Sequence, residues 1–159
     1  MVDFSQSTVA NAQIHGTIAA IQNQVYGRPG FSRAVPVGIR SASSLGSSVD
    51  AGGSANTKGS YVVLGTAPND CEAFFAMVGP VTDIARNAQT MFLDILVNSS
   101  LILDNWMFTF GAATDVPSPN NTPVLPATIR SGDTIAARTQ CSVTTTGDRV
   151  VDVMVELLY

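Results

Sequence analysis

The sequence has few of the residues that enzymes most often use for nucleophilic catalysis and metal binding. It contains one histidine, His15, and two cysteines, Cys71 and Cys141. A histidine-based zinc site and a Ser-His-Asp triad both need partners that this chain does not offer near His15, and no serine lies in a G-x-S-x-G motif. Gly52 and Gly53 fit neither a P-loop nor a dinucleotide-binding pattern. We therefore expect a protein without enzymatic activity or a cofactor, and we interpret the cysteines as small apolar residues on strands.

Charge is also scarce, since charged residues make up 13% of the chain and about a quarter is typical. Either uncharged polar residues cover the surface or partners bury part of it, and the second alternative predicts oligomerisation. Residues 1–60 contain two acidic and four basic residues, whereas residues 61–159 contain ten acidic and four basic residues. The bases form no cluster, so we expect no nucleic-acid partner. No apolar run approaches the roughly 20 residues of a membrane span, so we expect no membrane association.

Residues 1–60 are predicted to form an N-terminal arm and a loop rich in glycine and serine. Apolar residues recur at helical spacing within 5–26, which predicts a short helix. That helix would pack on its own core or grip a neighbouring molecule, and the sequence leaves both alternatives open. An extended stretch is expected at 35–39, followed by a long loop from Ser41 to Lys58.

Residues 61–159 are predicted to form a β-sandwich domain, because short apolar runs alternate there with turn signals. The expected strands are Tyr61–Leu64, Glu72–Val78, Met91–Val97, Leu101–Leu103, Trp106–Phe110, Thr134–Cys141 and Val150–Leu158. The last two have period two and predict a half-buried hairpin. Prolines between 117 and 126 predict an irregular crossing. The expected fold class is all-β, an antiparallel, jelly-roll-like sandwich with an N-terminal arm that includes a short helix.

Asp94 is the carboxylate with the most unusual surroundings. It lies in the apolar run 91–96, where burial would raise its pKa. We favour pairing with an arginine or a backbone N–H, or a place at a subunit contact, over catalysis, because no second carboxylate completes a glycosidase-like pair. Trp106, Phe108 and Phe110 alternate onto one face, which favours core packing over a sugar-stacking surface.

Two segments carry a family resemblance. Residues 43–64 read SSLGSSVDAGGSANTKGSYVVL, and residues 127–155 read ATIRSGDTIAARTQCSVTTTGDRVVDVMV. The region from about Arg33 to the C-terminus resembles small β-sandwich virion proteins of tailed bacteriophages, including head-decoration and tail or fibre components. The resemblance implies a capsid decoration or cement protein that is assembled in the bacterial host cytoplasm and resides in the virion. The alternative is a tail- or fibre-associated module that binds host glycan.

The partners that this reading implies are further copies of the chain, as a homotrimer, and the major capsid protein or other virion proteins. The arginines of the arm would dock on an acidic neighbour through charge-assisted bonds. Strands that are apolar on both faces would lie against another layer or another subunit. The expected assembly contacts are Arg28, Arg33, Arg40, Phe74, Phe75 and Asp94.

Overall fold

The computed structural model describes residues 33–39, 46–80, 88–110 and 120–159. Regular structure in these residues is β-strand, apart from one 3-10 segment at Thr146–Arg149. The strands are β1 Ala34–Val37, β2 Ser47–Asp50, β3 Val62–Thr66, β4 Cys71–Pro80, β5 Gln89–Val97, β6 Ser100–Phe110, β7 Asn120–Asn121, β8 Leu125–Ile129, β9 Thr134–Cys141 and β10 Val150–Leu158. The chain is therefore all-β over the part that the structure describes.

The strands form two antiparallel sheets that pack against each other as a sandwich. In the six-stranded sheet, β10 pairs with β4 on one side and with both β1 and β2 on the other, and β4 also pairs with β7 and β8. The four-stranded sheet has the order β3-β9-β5-β6. The predicted antiparallel β-sandwich is confirmed at this level.

The core lies between the sheets and follows from the alternation of side chains along each strand. In β10 the residues Val151, Val153, Val155 and Leu157 are fully buried, and in β5 the corresponding set is Met91, Leu93 and Ile95. Branched aliphatic side chains of this kind fit a pleated surface well. Each is worth roughly 1.5–3 kcal/mol when fully removed from water, so these two strands contribute strongly to the packing of the sheets.

The connection between β5 and β6 is a hairpin with a two-residue turn. Val97 lies opposite Ser100, which leaves Asn98 and Ser99 in the turn. Asn98 has a φ of 52°, a left-handed conformation that asparagine tolerates better than most residues. Its side chain accepts a hydrogen bond from the backbone N–H of Thr134 and donates one to Asp133. The turn is thereby tied to the start of β9.

The predicted hairpin between the last two strands is wrong. Both segments are strands with the expected alternation, but β9 pairs with β3 and β5, whereas β10 pairs with β1, β2 and β4. The chain therefore crosses from one sheet to the other between Cys141 and Val150. Period two identifies which side chains share a face, but it does not identify the neighbouring strand.

Two further boundaries differ from the sequence predictions. The expected loop 41–58 contains strand β2, which pairs with β10. The expected strands 101–103 and 106–110 are a single strand, β6, with a shift of register near Asn105. Strands β1 and β2, which precede the predicted sandwich boundary at residue 61, belong to the six-stranded sheet, and residues 33–159 cluster as one compact unit. The predicted helix within 5–26 lies outside the described residues.

Candidate functional site

Asp94 lies on the outer face of the four-stranded sheet, yet it is almost completely buried. Its neighbours Leu93 and Ile95 point into the core, so alternation directs the side chain of Asp94 away from the core. Only 1% of the residue is accessible to solvent. Side chains on the outer face must therefore cover it.

Three donors surround the Asp94 carboxylate. Nζ of Lys58 donates to Oδ2 at 2.6 Å, Nε of Arg138 donates to the same oxygen at 2.8 Å, and the backbone N–H of Asn105 donates to Oδ1 at 2.8 Å. Lys58 also lies 3.4 Å from the exposed carboxylate of Asp104. We call these four charged residues, Asp94, Arg138, Lys58 and Asp104, the ionic cluster.

The backbone explains how distant residues reach Asp94. Arg138 lies directly opposite Asp94 in the β5–β9 register. The irregularity in β6 places Asn105 in a left-handed conformation, with a φ of 51°, and aims its N–H at the carboxylate. Lys58 forms an isolated antiparallel bridge with Gln140, so the segment before β3 runs along β9 and brings the amine over the sheet.

The pKa of Asp94 is lowered, contrary to the rise expected from the sequence. Burial acts to raise this pKa, but the hydrogen bonds from Lys58, from the backbone of Asn105 and from Arg138 together outweigh burial. Asp94 is therefore held ionised and shielded from solvent. Of the sequence interpretations, the structure matches pairing with an arginine and a backbone N–H.

An apolar row crosses the same outer face next to the ionic cluster. Val63 of β3 lies opposite Ala136 of β9, Ala136 lies opposite Leu96 of β5, and Leu96 lies opposite Leu101 of β6. We call these four residues the apolar row. Val63 and Leu101, at its two ends, are 62% and 44% exposed. A row of this kind leaves apolar surface on the outside of the sandwich.

A second apolar pair lies on the other side of the ionic cluster. Phe92 of β5 lies opposite Met107 of β6, and Met107 is 59% exposed. Five large apolar side chains are exposed among the described residues, and three of them, Val63, Leu101 and Met107, lie on this one face. The exposed apolar surface is thus concentrated rather than scattered.

Three other predicted contact residues lie apart from this face. Phe74 is fully buried between the sheets, where it packs with the core of its own chain. Phe75 lies opposite Glu156 on the outer face of the six-stranded sheet and is half-buried. Arg33 is exposed and pairs through its backbone with Tyr159. Arg28 and Arg40 lie outside the described residues. The role of these six residues in assembly stays a prediction.

Glu156 is the second unusual carboxyl group, on the outer face of the six-stranded sheet. One of its oxygens, Oε2, is buried and accepts no hydrogen bond. Burial raises the pKa of Glu156. Its cross-strand neighbours are Phe75 and Pro36, which offer it no charge. This carboxyl therefore favours the protonated form more than an exposed one would.

The cysteines and the aromatic row have structural roles in the sandwich. Cys71 and Cys141 are buried, unbridged and located in β4 and β9, as interpreted from the sequence. Trp106 stacks on Phe108 at 5.5 Å between ring centroids, and Phe108 meets Phe110 edge to face. These rings point toward the core, since Phe108 and Phe110 are buried and Trp106 packs against it. The predicted core packing of the row is confirmed.

The described residues contain no group of three or more histidine, cysteine, aspartate or glutamate side chains positioned to hold a metal ion. In the same part of the chain, no helix has the length and apolar character needed to cross a membrane. Comparison with protein-family models, curated proteins and solved structures found no match to this chain.

Sequence reasoning singled out Asp94 but missed Lys58, which was assigned to a loop. The local sequence around Lys58, a Gly/Ser-rich stretch, does not predict which residue the lysine contacts, because Asp94 is 36 residues away in the sequence. Val63 and Leu101 were also missed as a surface feature, since the row depends on four strands from different parts of the chain.

Proposed function

We propose that this protein is a structural component of a virion, a capsid decoration or cement protein that binds and stabilises a phage head. The observation that carries the proposal is the order of the strands. It supports a jelly-roll fold, an architecture found in viral capsid proteins as well as in lectin domains and cupins. Because a fold hosts many functions, the family resemblance and the exposed apolar face are needed beside it.

The strand pairing supports a jelly roll when broken strands are joined. β1 and β2 lie end to end along β10, and β7 and β8 lie end to end along β4. Counted as single strands, they give eight strands in two sheets of order 1-8-3-6 and 2-7-4-5. Strand 1 then pairs with 8, 2 with 7, 3 with 6 and 4 with 5. This is one long hairpin, centred on the Asn98–Ser99 turn and wrapped into a sandwich.

The surface also supports a role in assembly. The chain has half the usual share of charged residues, and its exposed large apolar side chains are concentrated on the outer face of the four-stranded sheet. Binding of a partner that removes such a surface from water lowers the free energy. The expected partners are further copies of the chain, as a homotrimer, and the major capsid protein. The N-terminal arm that precedes β1 would add contacts to the neighbour.

The proposal is tested by sizing and co-sedimentation of the full-length chain. Light scattering measures its mass alone, and centrifugation measures its binding to capsids assembled from the major capsid protein of the same genome. We expect the chain to sediment with the capsids in a saturable, regular ratio. A strict monomer at high concentration that ignores added capsids would refute the proposal.

The alternative, a tail- or fibre-associated module that binds host glycan, has less support. Its best stacking surface was the row formed by Trp106, Phe108 and Phe110, and this row faces the core. A glycan array with the intact protein tests this alternative separately.

A further inference from the structure

The outer face of the four-stranded sheet combines apolar and charged groups in an order that suits contact with an identical face. The apolar row runs from Val63 at one edge strand to Leu101 at the other. The ionic cluster runs beside it in the same direction, with its cations on the β3–β9 half and its anions on the β5–β6 half. Lys58 bridges to β9 and Arg138 belongs to it, whereas Asp94 belongs to β5 and Asp104 to β6.

From this arrangement we propose that the face packs against the same face of a second copy, about a twofold axis parallel to the strands. Such an axis reverses the order of the strands across the interface, so β3 of one copy faces β6 of the other. Val63 then meets Leu101 of the other copy, and Ala136 meets Leu96. An isologous contact of this kind uses one surface patch on both partners.

The charges are complementary under the same operation. Reversal places the cationic half of one copy over the anionic half of the other. The side chain of Asp104 is 57% exposed, so it can also contact the partly exposed Lys58 and Arg138 of the second copy. Facing sheets commonly align within about 30°, which an axis close to the strand direction provides. Like charges would meet if the strand order were kept instead of reversed.

The size of the face sets the strength of the contact. Four strands about 4.8 Å apart, followed from the apolar row to the Phe92–Met107 pair, cover roughly 400 Å² per copy. Two copies would bury roughly 800 Å², which lies at the weak end of specific protein interfaces. The contact is therefore expected to depend on concentration in solution and to be strengthened when many copies are held on one particle.

The pairing of Val63 with Leu101 is tested by cross-linking the full-length chain. The double variant Val63→Cys/Leu101→Cys is treated with a bismaleimide that spans one sheet-to-sheet gap of about 10 Å. We expect covalent dimers and no larger product, because two cross-links close a twofold pair. The single variants should give no covalent dimer. In each of them the two identical cysteines, one in each copy, would be offset by about 14 Å in the direction perpendicular to the strands, which is three strand spacings. Wild type, whose cysteines are buried, and Val124→Cys are the controls.

Sedimentation velocity provides a second readout. Leu101→Glu should weaken self-association by at least about tenfold, whereas Val124→Glu, which alters a side chain of similar exposure (40%) away from this face, should change it less than about twofold. Covalent trimers, cross-linking in a single variant, or equal effects of both glutamate substitutions would overturn the twofold contact.

This inference deepens the proposed assembly function and rests on it, with the twofold contact joining copies that belong to different homotrimers, but the two fail separately. Capsid binding without dimeric cross-links would remove only the twofold contact. Dimeric cross-links without capsid binding would remove the decoration role and leave the contact intact.

Discussion

Nζ of Lys58 lies 2.6 Å from Oδ2 of Asp94, although 36 positions separate the two residues in the sequence. This ion pair fastens the segment before β3 to the outer face of the four-stranded sheet. Because Arg138 and the N–H of Asn105 complete the set of donors, three separate segments converge on one carboxylate. The arrangement has consequences for stability that can be measured.

Removing the charge of Asp94 should destabilise the fold. In Asp94→Asn, Lys58 and Arg138 keep their charges without the counter-charge between them, and one amide hydrogen must face a donor. Loss of one partner from a buried ionic contact costs 3–5 kcal/mol, and the partial exposure of both cations reduces this to about 2 kcal/mol. Urea unfolding measures the change.

Asp104→Asn is the matched control for that substitution. Asp104 also contacts Lys58, but at 3.4 Å and with 57% of its side chain exposed. Exposed pairs contribute about 0–1 kcal/mol, so the midpoint of unfolding should barely move. Equal losses of unfolding free energy in both variants would show that Asp94 contributes no more to stability than the exposed Asp104.

The close approach at Gly59 should be equally sensitive. Its N–H donates to the carbonyl of Thr139 at 2.9 Å, and a Cβ at this position would overlap the carbonyl oxygen of Asp50. Gly59→Ala should therefore cost about 1–3 kcal/mol, as overpacking does elsewhere. Gly147→Ala is the control, since a Cβ there meets open space. Thermal unfolding of both variants tests this, and a Gly59→Ala protein as stable as the control would contradict it.

Neutralising Glu156 should stabilise the protein at neutral pH. Burial raises the pKa of this carboxyl from its ordinary value of 4.5. Its contribution to the stability of the fold is therefore most favourable at a pH below 4.5. The contribution is lost as the pH rises through the raised folded pKa. Glu156→Gln should gain about 0.5–1 kcal/mol at pH 7.

The advantage of Glu156→Gln should shrink toward zero as the pH falls below the ordinary value of the glutamate pKa, because the wild-type carboxyl is then protonated in both states. Unfolding curves from pH 3.5 to 7.5 would reveal it. An advantage that persists unchanged at the acidic end would point to packing rather than ionisation.

The two thiols should be unreactive while the protein is folded. Cys71 and Cys141 are buried, and burial raises the pKa of both, which lowers the fraction of reactive thiolate. A colourimetric thiol reagent should modify neither residue in buffer and both in denaturant. Rapid modification of either thiol in the native protein would contradict the placement of β4 or β9.

The sequence predicted strands better than it predicted their neighbours. Alternation in Thr134–Cys141 and Val150–Leu158 identified both strands, because buried and exposed positions differ strongly there. It could not show that they belong to different sheets. Strand β2 was missed because Ser47–Asp50 is short and mostly polar. The segment forms a strand because it pairs with β10, and its own residues have little strand propensity.

The candidate site shows the same division. The apolar run around Asp94 indicated a buried carboxylate with a partner, and the strand register supplies Arg138. The expected rise in the pKa of Asp94 was wrong because three donors, one of them the distant Lys58, outweigh burial. Their convergence is a property of the fold, and no local pattern contains it.

The most direct test of the assembly function is an electron cryo-microscopy reconstruction of particles purified from the host in which this gene is expressed. We expect a repeated surface density at regular lattice positions that fits a two-sheet sandwich with the strand order β3-β9-β5-β6 in one sheet. Particles that lack this density and this polypeptide, while the chain remains as free monomers in the lysate, would contradict the proposed function.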